Sequence, residues 1–195
     1  MSAHARPQIL SVLKQATDHQ HSELERIVDI AERIRKRPAY AALLARFRAF
    51  YAPLEARLEG FDWASTGLDF AARRKVPLLD ADLAALGAAR PAADCDDIPF
   101  PTTLAEAFGV LYVLEGATLG GQIITKDLIA AGHPPESRRF FTGYGAETGA
   151  MWRAFQAAIA AHVTDEPRTG QAVLAATATF TSLAVWLRDS QPAMA

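Results

Sequence analysis

His21 is the residue whose type and position first suggest chemistry in this sequence. It continues a series of apolar or small residues at helical spacing, namely Leu10, Leu13, Thr17, Leu24, Val28 and Ala31. We therefore expect His21 to face inward, whereas His19 is rotated by about 200° and is expected to face water. Glu25, one turn later, could accept a hydrogen bond from Nδ1 of His21 and leave Nε2 free to bind a metal. The alternative is a core histidine whose ring nitrogens are both satisfied within the protein.

A second feature is a group of three glycines, Gly116, Gly120 and Gly121, inside an otherwise helical segment. Together they cost about 3 kcal/mol of helix propensity relative to alanine. Alanine is abundant nearby, so the glycines indicate that something approaches this backbone closely. One explanation is tight packing of another helix. The other is a flat ligand lying against bare backbone, with a bend in the helix at the glycines.

Together, an imidazole on one wall and a glycine backbone on the other describe a slot. Its natural occupant is a planar metal macrocycle, haem, held by one proximal histidine. The glycine wall would leave the opposite face of the iron open to a small gas molecule.

The elements that position these residues are predicted to be helices. The sequence contains 40 Ala against 9 Ile and 8 Val, and no useful segment alternates apolar and polar residues, so we predict an all-α fold. Pro53 is expected to kink or shorten the second helix, and Pro77 to break the third. Thr103 and Glu106 fit a capping box that opens the glycine-containing helix. The predicted helices cover residues 7–36, 39–59, 68–88, 103–131, 150–163 and 166–189, with loops at 89–101 and 142–149.

Length and composition limit the class of protein. The 195 residues suit one domain, residues 1–195, with short flexible ends near 1–6 and 190–195. A formal charge of −2 argues against nucleic-acid binding, and we expect no membrane-length apolar run. Cys95 is the sole cysteine, which together with an N-terminus lacking an apolar centre favours a cytoplasmic location.

The two features are combined in one known family. Residues 13–25 resemble the proximal-helix signature of heme oxygenases, in which the histidine follows a threonine by four and precedes a glutamate by four; here these are Thr17, His21 and Glu25. Residues 115–122 look like the family's glycine-rich distal helix. The amino-acid sequence of residues 112–121 is most similar to the bacterial branch associated with bacteriophytochromes. Residues 40–55, 140–155 and 180–187 also resemble that branch.

This resemblance implies a single helical bundle with haem between the first helix and a glycine-kinked distal helix. It implies oxidative cleavage of haem to biliverdin with release of iron and carbon monoxide, with haem as cofactor and substrate and an external reductase or ferredoxin as electron donor. A bacteriophytochrome would accept the biliverdin. Lys14 matches a position that contacts a haem propionate, and Arg153 is the expected second propionate partner. The distal catalytic wall is expected to comprise Gly116, Ala117, Gly120 and Gly121.

Ala117 is a departure from the family pattern. Well-studied members place an aspartate directly after the first distal glycine, where it organises the water molecules that deliver protons. Alanine accepts no hydrogen bond, and Glu115, Thr118 and Gln122 are the nearby polar candidates. Turnover could therefore use backbone-held water or another side chain, or it could be impaired. Two other classes remain open: a non-catalytic haem-binding protein, and a thiaminase-like or di-iron protein of the same helical fold. The di-iron case is weakened because no histidine supplies a Glu-x-x-His motif.

Overall fold

The protein is all-helical in the computed structural model, which describes residues 8–188, and no strand occurs within that range. The predicted all-α class is therefore confirmed. The expected flexible ends near 1–6 and 190–195 lie outside the described residues. The α-helices are α1 (Gln8–Val28), α2 (Ile30–Arg33), α3 (Arg37–Leu58), α4 (Val76–Leu86), α5 (Leu104–Ala130), α6 (Arg139–Thr142), α7 (Thr148–His162) and α8 (Glu166–Arg188).

The first helix is shorter than predicted because it is interrupted at Asp29. This residue adopts a left-handed conformation with φ 40° and ψ 57°, which aspartate tolerates better than most residues. The chain then forms only the single turn of α2 before α3 begins. Prediction of one helix over 7–36 was wrong at this point, since no proline or glycine marks the break.

Pro53 lies within α3 without ending it. A proline has no N–H to donate to the carbonyl four residues earlier, which here is Ala49. That carbonyl instead accepts a hydrogen bond of 2.9 Å from the N–H of Cys95, in the loop that precedes α5. The prediction that α3 ends early at Pro53 is therefore wrong. The Ala49 carbonyl that Pro53 leaves free is satisfied by a segment distant in sequence.

The other prolines of this half of the chain begin helices. Pro38 occupies the first turn of α3 and Pro77 the first turn of α4, where a missing N–H costs nothing. Residues 68–88 therefore form two elements, a short 3₁₀ turn (Ala71–Arg73) and α4, and α4 ends at Gly87 with φ 66°. The predicted loop over 89–101 is confirmed as non-helical.

Helix α5 begins with the predicted capping box. The Thr103 side chain accepts a bond from the Glu106 N–H at 3.2 Å, and a Glu106 carboxylate oxygen accepts one from the Thr103 N–H at 3.0 Å. The helix continues as one element through all three glycines to Ala130. Helix α8 packs along both α1 and α5, so these three helices form the frame of the molecule.

Helices α5 and α8 are also long and apolar enough to cross a membrane by length and composition alone. The expectation that no apolar run reaches membrane length was therefore wrong. Within the described fold, 56% of the apolar window of α5 and 39% of that of α8 are buried. A core helix of a globular protein passes the same test, so these two segments are weak evidence for a membrane span.

Candidate active site

A cavity of about 530 Å³ lies between α1 and α5. Its floor and sides are largely aromatic and aliphatic, with contributions from α3, α6, α7 and α8. The aromatic lining residues are Phe47, Tyr51, Tyr112, Phe140, Phe141, Trp152 and Phe180. A volume of this size with an apolar lining is typical of pockets that bind cofactors and other small molecules.

His21 lines the α1 wall of this cavity, and His19 is absent from the described lining. The His21 side chain is 57% exposed, so the expectation of a buried histidine was wrong. The stripe that buries Leu10, Leu13 and Thr17 reaches the cavity at His21 instead of the core. The ring packs edge-on against Phe180, with centroids 5.8 Å apart and planes at 75°.

Glu25 lies one turn from His21 and also lines the cavity. Its Oε1 is 3.7 Å from Nδ1 of His21, which is too long for a hydrogen bond, and its side chain is 72% exposed. The two groups are therefore close neighbours at the cavity edge, and the expected Nδ1–H bond is not formed in this geometry.

Thr17 and Lys14 of α1 are among the other residues that line the same wall. Thr17 is buried, and its hydroxyl donates to the carbonyl of Leu13 at 2.8 Å, so its hydrogen-bonding capacity is used within the helix. Lys14 is exposed and lies at the cavity edge, where a cation can meet an acidic group of a bound ligand. Arg153, by contrast, is not among the described lining residues; its guanidinium lies beside Gly149 on α7. The structure therefore does not bring Arg153 to the cavity.

The glycines of α5 divide into two kinds. A Cβ placed on Gly116 or Gly120 would have no described neighbour within 4 Å, and both residues line the cavity. A Cβ on Gly121 would lie 2.4 Å from the carbonyl oxygen of Phe141, and one on Gly109 would lie 2.1 Å from that of Ala172. Gly116 and Gly120 thus leave bare backbone facing the cavity. Gly121 permits close packing of the α6 segment, so grouping it with the cavity wall was wrong.

Of the three polar candidates near Ala117, Thr118 lines the cavity, and Glu115 and Gln122 are not among its described lining residues. Ala117 itself is exposed and lines it. Thr118 also lines it, but its hydroxyl donates to the carbonyl of Glu115 at 2.6 Å. Glu115 is buried beyond the lining, and Gln122 is exposed on another face of α5.

A buried ionic cluster of Glu115, Arg73 and Tyr144 lies behind the α5 wall and was not predicted from the sequence. Glu115 accepts a hydrogen bond from Arg73 at 2.7 Å on one carboxylate oxygen and from the Tyr144 hydroxyl at 2.5 Å on the other. Burial raises the pKa of the Glu115 carboxyl, while Lys75 and Arg73 act to lower it. Lys75 is 2% exposed and lines the cavity next to this cluster. The only sequence signal was three consecutive basic residues, 73–75, in a segment predicted to be helical and broken by Pro77.

Two further histidines of the described chain, His133 and His162, are engaged in hydrogen bonds within the fold. His133 is buried and its Nε2 lies 2.7 Å from the carbonyl oxygen of Ile34. His162 is the last residue of α7, and its Nδ1 lies 2.9 Å from the carbonyl oxygen of Ala158. Across residues 8–188 no three histidine, cysteine or acidic side chains group as metal ligands. A protein-only metal centre of the di-iron type thus has no ligand set in the described chain.

The lining residues fit haem on observations of this structure. An imidazole is available on one wall, the glycine backbone of the other wall leaves room for a flat ring, and most of the remaining surface is apolar. The fold and this cavity define a class: an all-helical protein with an apolar slot between two helices, one of which carries a histidine.

Comparison with known proteins identifies the family within that class. The heme oxygenase family model matches residues 8–189. A heme oxygenase of Xanthomonas campestris pv. campestris (strain 8004) is 33% identical over 144 residues, which are 72% of this chain and 84% of that protein. The chain belongs to the heme oxygenase family.

Solved structures agree on the fold. The NO- and CO-bound heme oxygenase from Neisseria meningitidis matches with a TM-score of 0.83 at 20% identity, covering 93% of this chain and 90% of that one. Heme oxygenase from Leptospira interrogans matches with a TM-score of 0.74 at 18% identity, covering 93% and 98% respectively. Members of the family bind haem as both cofactor and substrate, so the chain is an enzyme of haem degradation.

Proposed function

We propose that this chain cleaves haem oxidatively to biliverdin, iron and carbon monoxide, with His21 as the iron ligand. One observation carries the proposal: His21 and the bare backbone of Gly116 and Gly120 line one apolar cavity from its two sides. When bound, haem supplies both the ring that is cleaved and the iron centre for oxygen chemistry.

The protein's own residues would hold and orient the haem. His21 binds on the α1 side, and Glu25 is close enough to hydrogen-bond its second nitrogen after a small rotamer change, which would strengthen the ligand. Lys14 at the edge would pair with a propionate, which fixes the rotation of the ring in its plane. The glycines allow the ring to approach the helix backbone, and the aromatic lining excludes bulk water.

The direct test is a haem titration followed by turnover. Purified protein is titrated with haemin, and the complex is then supplied with ferredoxin, ferredoxin reductase and NADPH in air. We expect a Soret band to form with haem and to decay as biliverdin absorption appears. His21→Ala should abolish the native ferric spectrum, whereas His19→Ala, on the same helix outside the cavity, should preserve it. The reverse pattern would contradict the assignment of the iron ligand.

A second candidate function is supported by Ala117, which lacks the carboxylate expected of efficient family members. Such a protein would bind haem for storage, transport or sensing without cleaving it. The same experiment separates the two functions, because a non-catalytic protein would keep its Soret band through reduction in air.

We also propose that the electron donor is a separate reductase or ferredoxin and that the product supplies a bacteriophytochrome in the cytoplasm. The resemblance of residues 112–121 to the bacteriophytochrome-associated branch supports the acceptor. The test is to add the chain, haem and reductant to an apo-bacteriophytochrome. Red and far-red absorption should then develop only when the chain is catalytically competent. Biliverdin release without chromophore assembly would contradict the proposed acceptor.

A further inference from the structure

Lys75 is a buried ammonium group whose hydrogen-bonding capacity is not used by the described protein. The residue is 2% exposed, and within residues 8–188 its Nζ has no hydrogen-bond partner. It lies 3.4 Å from the centroid of the Tyr144 ring, a cation–π contact that leaves the N–H donors unsatisfied. An ammonium group in such a place normally requires an acceptor.

The backbone holds Lys75 in this position. Its N–H donates to a carboxylate oxygen of Glu55 on α3, and the N–H of Val76 donates to the same oxygen at 3.1 Å. The carboxylate thus caps the start of α4 and fixes the point from which the lysine side chain leaves. The side chain reaches the cavity that His21 and Gly116 also line.

The neighbouring carboxylates are already engaged by other groups. Glu115 uses one oxygen for Arg73 and the other for the Tyr144 hydroxyl. Glu55 uses one oxygen for the two backbone N–H groups and the other for Arg74, at 3.2 Å. Both carboxylates attract Lys75 at longer range but neither accepts its hydrogen bond, so the acceptor for Lys75 must be sought in the cavity.

Resting on the proposed function, we propose that Lys75 is the hydrogen-bond donor on the α5 side of the cavity and the proton source that Ala117 cannot provide. Its Nζ–H donates to a water molecule or small ligand beside Gly116. When the proton is transferred, the ammonium becomes a neutral amine, and the amine regains a proton from solvent.

The electrostatic surroundings suit this role. Burial lowers the pKa of Lys75 to about 8, with Glu115 and Glu55 acting to raise it and Arg73 to lower it. Tyr144, whose own pKa is raised by burial and by Glu115, stays a neutral phenol, and its ring lies against the ammonium. Near neutral pH the lysine is therefore mostly protonated and gives up its proton more readily than a solvated lysine.

The first test measures the lysine in the haem-free protein. Lysines are labelled by reductive ¹³C-methylation, and their resonances are followed from pH 6 to pH 12. One resonance should titrate well below the others and vanish in Lys75→Met, but it should persist in Lys126→Met, where the removed lysine is exposed on α5. A Lys75 resonance that titrates with the surface lysines would overturn the proposal.

The second test uses fluoride, a hydrogen-bond acceptor that binds ferric haem. Fluoride affinity of the haem complex should fall about tenfold or more in Lys75→Met and stay unchanged in Lys126→Met. Lys75→Arg should retain part of the affinity, because it keeps a charged donor. The advantage of wild type over Lys75→Met should disappear as pH rises through about 8.

The outcomes distinguish this proposal from the proposed function. Normal haem binding with equal fluoride affinity in wild type and Lys75→Met would overturn the role of Lys75 and leave haem cleavage standing. Failure of the wild-type protein to bind haem would overturn both. Should Lys75→Met not fold, the wild-type titration and the Lys75→Arg complex still decide the question.

Discussion

Replacing the glycines of α5 one at a time by alanine should separate those that serve the ligand from those that serve the fold. In the haem-free protein, Gly116→Ala and Gly120→Ala add a methyl group that has no described neighbour within 4 Å. Each should stabilise the protein by up to about 1 kcal/mol through helix propensity. At about 2–4 °C per kcal/mol for a chain of this size, the melting temperature should rise by up to about 4 °C.

Gly121→Ala should have the opposite effect. Its Cβ would lie 2.4 Å from the Phe141 carbonyl oxygen, so backbone must move. Overpacking costs about 1–3 kcal/mol, and a clash with backbone at this distance falls at about 2–3 kcal/mol, which exceeds the propensity gain of up to about 1 kcal/mol. We expect a net loss of about 1–2 kcal/mol and a fall of about 2–8 °C. Gly109→Ala, with a Cβ 2.1 Å from the Ala172 carbonyl oxygen, is the matched variant at the contact with α8. Its melting temperature should fall as well.

Bound haem should make the added methyl group at Gly120 unfavourable, although the same methyl group stabilises the haem-free protein. A methyl group at Gly120 would project toward the bound ring, so Gly120→Ala should weaken haem affinity or shift the Soret band while stabilising the haem-free protein. The assay is a pair of thermal melts, with and without haem, together with a haem titration of each variant. The reasoning would be refuted by equal shifts of Gly120→Ala and Gly121→Ala in the haem-free melts, or by a Gly120→Ala variant whose haem affinity and Soret band are both unchanged.

Three further predictions concern other sites. Ala117→Asp, at an exposed position on the cavity wall, should leave haem affinity nearly unchanged and alter the rate of biliverdin formation in single turnover. The pKa of Lys75 falls from 10.5 to about 8 on folding, so its contribution to stability is present above pH 10.5 and is lost as pH falls through 8. Lys75→Met should therefore gain about 3 kcal/mol over wild type between pH 10.5 and pH 7 in urea unfolding of the haem-free protein, and a pH-independent difference would contradict this. Asp29→Gly should raise the melting temperature slightly because φ is 40°, whereas Asp29→Val should cost about 1–2 kcal/mol; equal melts would show that the left-handed turn carries no strain.

Much of the helical frame could be predicted because its signals are local. The capping box of Thr103 and Glu106 fixes the start of α5 within the sequence itself. The course of a helix could not be predicted where it depends on hydrogen bonds from segments distant in sequence. Pro53 was expected to disturb α3, and only the contact with Cys95 shows why it does not.

The candidate active site likewise contains residues that local sequence signals identify and residues that only tertiary contacts define. Helical spacing identified His21 and the glycine wall, but Gly120 and Gly121 look alike in the sequence. They differ only in what faces them, and Phe141 is brought to Gly121 by the tertiary fold. Lys75 depends on contacts with α3, α5 and Tyr144, all distant in sequence, so no local pattern marks it as buried.

The carbonyl that Pro53 leaves free on Ala49 ties a loop to the core. Because Cys95 supplies the missing N–H, that amide belongs to the hydrogen-bond network of α3 although it lies in a segment without helix. We therefore expect that opening this turn of α3 also releases the loop before α5 at Cys95. The Cys95 amide should exchange with solvent deuterium as slowly as buried helix amides do, and so report on the cooperative unit that the loop has joined.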